Sequence, residues 1–367
     1  MKNLNTLSMI HFIEIGIVGL VSFILTHFAI PALKKIALRV NLLDNPGKRK
    51  VHASAVPLIG GISIAFSVFL SLLLSPLFMQ QLILQRVMIG AAFLLLVIGV
   101  LDDKFDMKAK YKLAIQMACA FAIVSSGTRI TSLYGILGIH EISLQWQYLL
   151  TIVVIVGTVN AFNLMDGVDG LAAGLSILGF SILAVLSFLY GDIGKATVFV
   201  AFIGALVAFL KANLNADKIF MGDAGSLMLG FIMTVSGIQI LEFSQSSSVV
   251  NPTLVLFLVA GFFCVPVLDS LRVYLGRMRK GNSPFAADKS HLHHLVLLLG
   301  LTHKKITLLI NLFIVFLVTG AAILAVFFSE TLIFIFILFT FYFITKLLTM
   351  NKSLTDWKSK LTRLEKD

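Results

Sequence analysis

Along the chain, apolar runs long enough to cross a bilayer recur from one end to the other, and short segments between them collect most of the polar residues. A helix needs about 20 apolar residues to span the hydrocarbon core. That requirement picks out eleven stretches, at roughly 10–30, 56–76, 82–101, 111–127, 147–164, 170–190, 195–213, 225–241, 253–272, 305–327 and 331–349. Between the fourth and fifth, residues 128–146 alternate and carry glycines, which predicts a short hairpin outside the membrane. No internal repeat is evident. The pattern predicts an all-α polytopic membrane protein of about eleven transmembrane helices. Residues 1–350 read as a single integral membrane domain and 351–367 as a basic tail.

Charge gives this pattern a direction. With eleven spans the loops alternate between two sides, and 25 of the 29 Lys and Arg residues fall on one of them, leaving Lys2, Arg86, Arg129 and Lys195 on the other. The positive-inside rule assigns the basic side to the cytoplasm, with the N-terminus outside, the C-terminus inside and the 128–146 hairpin extracytoplasmic. The first apolar run is followed by a basic flank without a small-residue cleavage site, so it reads as a retained span rather than a signal peptide.

Composition narrows the class. Hydrophobic residues make up 58% of the 367 and charged residues only 13%, whereas an ordinary soluble domain is about a quarter charged. The net charge of +11 would suit nucleic acid, but its placement on one membrane face points to the membrane surface and anionic substrates instead. Cys119 and Cys264 both sit in apolar runs and read as reduced packing residues.

The acids follow the basic side. Asp44, Asp102, Asp103, Asp106, Asp166, Asp169, Asp217, Asp223, Asp269 and Asp288 all fall in or beside the loops assigned to the cytoplasm, as do His52, His291, His293 and His294. Acids at a membrane edge are costly and mark function, so the loops predict one cytoplasmic site. The first loop, DNPGKRKVHASAVPLIGG, offers Asp44, Lys50 and His52, although its basic run also serves as an orientation signal. In LDDKFDMKAKYK, Asp102 and Asp103 are adjacent and cannot share a helical face. One is expected to point into the site while the other braces it; a solvated pair screened by Lys104 and Lys108 is the plainer alternative. Lys110 and Lys112 are candidate phosphate ligands.

NAFNLMDGVDGLAAG, residues 160–174, combines an amide with two carboxylates. Asp166 and Asp169 share a face if they lie in a helical turn. With Asn163 they form a set of hard oxygen donors fit for Mg²⁺, in a loop without Lys or Arg. FMGDAGS places Asp223 at the start of a span, as a ligand or merely as an N-cap, and Phe220 as a core residue or a ring that stacks on a base. In the last large loop, Arg272 is a sidedness determinant or a substrate contact. His291 and His294 are spaced to share a helical face, with His293 turned aside. HLHH resembles zinc spacing, but no cysteine is near and the surrounding acids suit magnesium, so these histidines read as phosphate-facing.

LDDKFDMKAKYK, NAFNLMDGVDGLAAG, FMGDAGSL and HLHH, in this order and on one face, resemble the polyprenyl-phosphate N-acetylhexosamine-1-phosphate transferases (glycosyltransferase family four). Phospho-MurNAc-pentapeptide translocase belongs to the same superfamily. The resemblance covers roughly residues 10–350 and implies a multi-pass enzyme of the bacterial cytoplasmic membrane. Such an enzyme moves a sugar-1-phosphate from a UDP-amino sugar to a polyprenyl phosphate, with Mg²⁺ (or Mn²⁺ as a substitute). It releases UMP, needs no nucleic acid, and is compatible with a homodimer. By motif, Asp223 and Asn163 would bind the metal, Phe220 would stack on uracil, and Asp166 and Asp169 would line the nucleotide pocket. Asp102 or Asp103 would engage the lipid phosphate, as a base or through the metal, while Lys110, His291, His293 and His294 would contact phosphates. The pentapeptide translocases show three consecutive histidines and a differently worded aspartate loop. HLHH and NAFNLMDGVDGLAAG are more similar to the bacterial enzymes that start teichoic-acid, O-antigen or enterobacterial common-antigen synthesis from UDP-GlcNAc. The rival from another class is a cation-coupled transporter, which predicts acids near mid-span and repeated topology; a lipid-binding scaffold would not need the carboxylates.

Overall fold

A bilayer core offers no water to backbone amides, so the apolar runs close their hydrogen bonds within helices. In the computed structural model, which describes residues 2–45, 55–283 and 290–364, each of the eleven predicted stretches is helical. In chain order the elements are α1 (Lys2–Val40), β1 (Leu43–Asp44), β2 (Val56–Pro57), α2 (Gly60–Leu72), α3 (Phe78–Leu84), α4 (Arg86–Phe105), α5 (Ala109–Ser125), α6 (Leu144–Met165), α7 (Leu171–Leu189), α8 (Ile193–Asn213), α9 (Gly222–Gln245), α10 (Pro252–Arg279), α11 (Leu292–Leu297), α12 (His303–Leu324) and α13 (Glu330–Leu364).

Eight of these helices have the length and composition to cross a membrane: α1, α6, α7, α8, α9, α10, α12 and α13. The pair α3–α4 makes a ninth if it is counted as one span, but it is bent by 85° at Gln85. The stretches predicted at 56–76 and 111–127 fold as shorter helices, α2 with 13 residues and α5 with 17. Leu74 and Ser75 close α2 in a turn, and Asp106, in a left-handed conformation, separates α4 from α5. Helix α13 continues through residue 350 into the basic tail.

The hub is α9, 94% of whose most apolar window is buried, against 28% for α1 and 22% for α13. It is packed by α2, α4, α6, α7 and α10. Small residues let the backbones meet: a Cβ on Gly61 of α2 would stand 2.2 Å from the backbone nitrogen of Gly225. Residues 128–146 form an irregular hairpin with a bridge between Ser132 and Glu141 and a short 3-10 turn at Ile136–Gly138. Glu242 of α9 anchors it by accepting hydrogen bonds from Tyr134 Oη (2.6 Å) and Thr131 Oγ1 (2.6 Å).

Candidate active site

The polar loops converge on the first turn of α9. Residues 56–58 run beside the strand-like approach to it: Phe220 N donates to Pro57 O (2.9 Å), and Gly60 N and Gly61 N donate to Phe220 O (2.9 Å) and Met221 O (3.0 Å). Gly222 then takes φ +72°, where its missing Cβ makes room for Asp103, whose Oδ2 would lie 2.4 Å from one. Asp103 accepts from the backbone nitrogens of Asp223 (2.8 Å) and Ala224 (3.3 Å). A carboxylate from α4 thus caps α9, in place of a capping side chain on α9 itself. Of the adjacent pair, Asp103 is the one bonded to the α9 backbone.

Asp102 is the member that enters the site. Its Oδ1 accepts from Met107 N (2.8 Å), fixing the turn after α4, and its Oδ2 accepts from Lys112 Nζ (2.6 Å). The same ammonium reaches Asp223 Oδ2 (2.8 Å), and Asn163 Nδ2, from the last turn of α6, reaches Asp223 Oδ1 (2.9 Å) and Ser226 Oγ (2.8 Å). Lys112 therefore sits inside the carboxylate cluster. Lys110 is exposed, with its ammonium over the Tyr111 ring at 5.1 Å.

Asp166 and Asp169 do not share a helical face, because Asp166–Gly170 is a series of turns rather than a helix. Asp169 is paired with Lys218 Nζ (2.7 Å) and His303 Nδ1 (3.0 Å). The counter-ion absent from its own loop comes from a segment about fifty residues on, and Thr307 Oγ1 holds the Asp169 carbonyl (2.8 Å). Burial pushes the Asp169 carboxyl up, but hydrogen bonds from His303 and Lys218 outweigh it and hold the group below the ordinary range. Asp166 has the opposite setting. Burial first, then the charges of Asp223, Asp103 and Asp169, push its carboxyl well above the ordinary range. Asn213 ties the whole loop down, accepting from Gly170 N and donating to Ile219 O (2.7 Å).

The histidine motif meets this loop from the other side. His291 lies just before α11 in an extended conformation, so the helical spacing predicted for His291 and His294 does not apply. The rings that stack are those of His291 and His293, with centroids 5.9 Å apart and planes within 4°; both residues are buried. His293 Nε2 stands 2.8 Å from where a Cβ on Gly167 would be, next to Asp166. His291 Nδ1 pairs with Asp269 Oδ2 (2.9 Å), whose Oδ1 accepts from Arg272 Nη2 (2.7 Å). Arg272 also donates to the Ser290 carbonyl, so it locks α10 to α11. Phe220 is half-buried, with Lys218 Nζ 5.0 Å from its ring centre. Asp44 is half-buried on β1, paired with Val56. Lys50 and His52 lie outside the described residues.

Burial, helped by the charges of His294 and His291, lowers the His293 pKa to about 3. The folded state then binds fewer protons than the unfolded one, so stability is lost as pH falls below the unfolded value near 6.5 towards 3. Between pH 7 and 5 this amounts to about 2 kcal/mol. His293→Gln is expected to remove that part of the acid sensitivity, read as a smaller shift of Tm between pH 7 and 5 in detergent; an unchanged shift contradicts the neutral, buried assignment.

Residues Lys112, Asp269, Lys218, His303 and Asn213 complete the site. Fold and site together define a polytopic α-helical membrane protein with a cluster of carboxylates gathered at the ends of its helices. A family model described as "Glycosyl transferase family 4" matches residues 85–241. The chain is 35% identical over 302 residues, 82% of each chain, to a Bacillus subtilis (strain 168) protein named "Probable undecaprenyl-phosphate N-acetylglucosaminyl 1-phosphate transferase". It is 33% identical, over 76% of each chain, to the undecaprenyl-phosphate alpha-N-acetylglucosaminyl 1-phosphate transferase of Yersinia pestis. The Escherichia coli (strain K12) protein of that name is 32% identical over 79% of this chain and 78% of its own. The chain belongs to glycosyl transferase family 4.

Proposed function

We infer that this protein transfers N-acetylglucosamine-1-phosphate from UDP-N-acetylglucosamine to undecaprenyl phosphate, giving undecaprenyl-diphospho-N-acetylglucosamine and UMP. The names of its relatives support the sugar and the lipid. The observation that carries the chemistry is the meeting of Asp102, Lys112, Asn163 and Asp223 at one helix start. The distribution of Lys and Arg supports a site facing the cytoplasm of a bacterial inner membrane.

The reaction joins two anions. A lipid phosphate oxygen forms a bond to the sugar-bearing phosphorus, and the bond from that phosphorus to the UMP oxygen breaks, with the electron pair leaving on UMP. The lipid phosphate is already ionised near neutral pH, so positioning and charge neutralisation carry the rate. Lys112 supplies positive charge at the junction of Asp102 and Asp223. Asp103 sets the position of Asp223 by capping α9. The Lys218–Asp169–His303 cluster shapes the wall beside Phe220, where a planar base can stack. His293, neutral and pressed against Gly167, offers hydrogen bonds rather than charge.

Magnesium fits the donor set. Asp223 and Asn163 provide hard oxygens, with Asp102 beside them, and the negative charges of Asp223, Asp103 and Asp169, which add to burial in raising the Asp166 carboxyl, are charges that a cation there would offset. Among the described residues no three of His, Cys, Asp and Glu stand ready at ligand spacing, which suits a cation that takes one or two carboxylates and fills its shell with water and substrate phosphates. Bound there, it would neutralise charge on the two phosphates and on the leaving UMP.

A panel of UDP-sugars offered to purified protein with undecaprenyl phosphate and Mg²⁺ tests the substrate. UDP-N-acetylglucosamine is expected to release UMP at least about tenfold faster than UDP-glucose or UDP-MurNAc-pentapeptide, a difference of about 1.4 kcal/mol. Preference for the pentapeptide would move the protein to the peptidoglycan branch.

A further inference from the structure

A concavity in two chambers runs along α9 towards the end of the helix opposite the carboxylates. One, about 650 Å³, is apolar and formed by α2, α3, α4, α8 and α9, with Phe69, Phe78, Phe93 and Phe199 in its wall. The other, about 350 Å³, is the more polar of the two and includes Tyr190, Asp192, Gln239 and Glu242 beside Ile240 and Phe243. Gln85 and Lys195 line both, so the chambers adjoin at the 85° bend between α3 and α4. Gln239, in the polar chamber, lies roughly 24 Å along α9 from Asp223, at 1.5 Å per residue, while the apolar chamber reaches along α9 as far as Met228. At the apolar rim, Phe66, Phe69 and Phe93 are each more than half exposed, so this chamber opens on the lipid side.

The polar chamber has charges of both signs and unfilled hydrogen bonds. Lys195 Nζ is 3.3 Å from Asp192 Oδ2. Glu242 is already engaged by Thr131 and Tyr134. Four buried polar atoms in these walls lack a partner: Ser187 Oγ, on a residue 1% exposed, Tyr190 Oη and Gln239 Oε1 in the polar wall, and Gln81 Oε1, on a residue 8% exposed at the apolar side. Leaving such groups unsatisfied costs about 1–3 kcal/mol each, and two of the four are amide oxygens that need a donor.

We propose that this two-chamber site binds a zwitterionic aminophospholipid from the adjoining leaflet. One acyl chain fills the apolar chamber and the phosphoethanolamine group fills the polar one. Lys195 meets the phosphate at the junction. The ammonium lies beside Asp192 in the polar wall. A phosphatidylglycerol would bring a second set of hydroxyls and no cation to a wall that holds Asp192 and Glu242, and a polyprenyl phosphate would bring an anion alone. Both chamber volumes fall in the ordinary range for small-molecule sites.

The test uses the full chain reconstituted in vesicles of equal phosphatidylethanolamine and phosphatidylglycerol, re-extracted in mild detergent and weighed by native mass spectrometry. One phosphatidylethanolamine per chain is expected to stay bound, favoured about tenfold over phosphatidylglycerol. Lys195→Ala, which removes the phosphate partner, and Ala92→Trp, which fills the apolar chamber, are each expected to cut retention about tenfold or more while UMP release persists. If Ala92→Trp does not fold, Lys195→Ala decides. A wild-type chain that keeps no phospholipid, or keeps phosphatidylglycerol equally, overturns the proposal. So does retention that survives Lys195→Ala unchanged.

Discussion

Asp223→Ala is expected to lower UMP release by at least about 10³-fold, some 4 kcal/mol of transition-state stabilisation. Asp223 is where the site's elements join: Lys112 from α5 and Asn163 from α6 bind its two oxygens, and Asp103 from α4 fixes its backbone. Alanine removes the charge and leaves Lys112 facing Asp102 alone, so substrate phosphates lose the group that would share a cation with them. Asp223→Asn separates charge from geometry. It keeps the size and one oxygen, so it should fold with wild-type Tm and still lose most activity. Near wild-type turnover for either variant, measured at saturating Mg²⁺, contradicts the assignment of Asp223.

Lys112→Met is expected to cost about 10²-fold or more, with Lys112→Arg recovering part of it. Removing one partner of a desolvated ion pair leaves the other charge uncompensated, at a cost of about 3–5 kcal/mol for fully buried cases. Lys112 is half-buried between Asp102 and Asp223, so the loss falls somewhat below that range. Lys110→Met is the control. Lys110 is exposed over Tyr111, and its variant should stay within about threefold of wild type, the scale of exposed ion-pair effects. A large loss at Lys110 with none at Lys112 would show that α5 presents its other face to the substrates.

That pair of lysines shows where the sequence stops being informative. Two charges at i and i+2 point in different directions, and which one enters the site depends on the rotation of α5. Its partner Asp223 is 111 residues away. The same holds for Asp102 and Asp103. Adjacency showed that one must brace, but only the close fit of α4 against Gly222 picked Asp103. Asp169 paired with Lys218 and His303, and His291 with Asp269, are contacts between loops far apart in sequence. Composition could flag those acids but could not pair them. The histidine spacing misled because His291 stands before its helix rather than in it.

The fold was legible where hydrophobic length sets the outcome. All eleven apolar stretches became helices, because backbone groups in lipid have little choice. Span count was less legible, since α2 and α5 stop short and α3–α4 bends at Gln85, features that depend on packing around α9. The meeting of the DD, NAFNLMD and FMGD motifs was legible from the charge pattern, which predicts one side of the membrane for all three. The strand pairing of Leu43–Asp44 with Val56–Pro57 was not, since two-residue strands leave no periodicity.

The reaction itself can be followed with UDP-N-acetylglucosamine labelled at both the sugar and the β-phosphorus, given to purified protein with undecaprenyl phosphate and Mg²⁺. Transfer of sugar-1-phosphate predicts that both labels reach the lipid in equal amounts, with one UMP released per lipid formed and none formed by Asp223→Ala. Sugar label in the lipid without the β-phosphorus, with UDP as the leaving group, or no lipid product at all, would contradict the account.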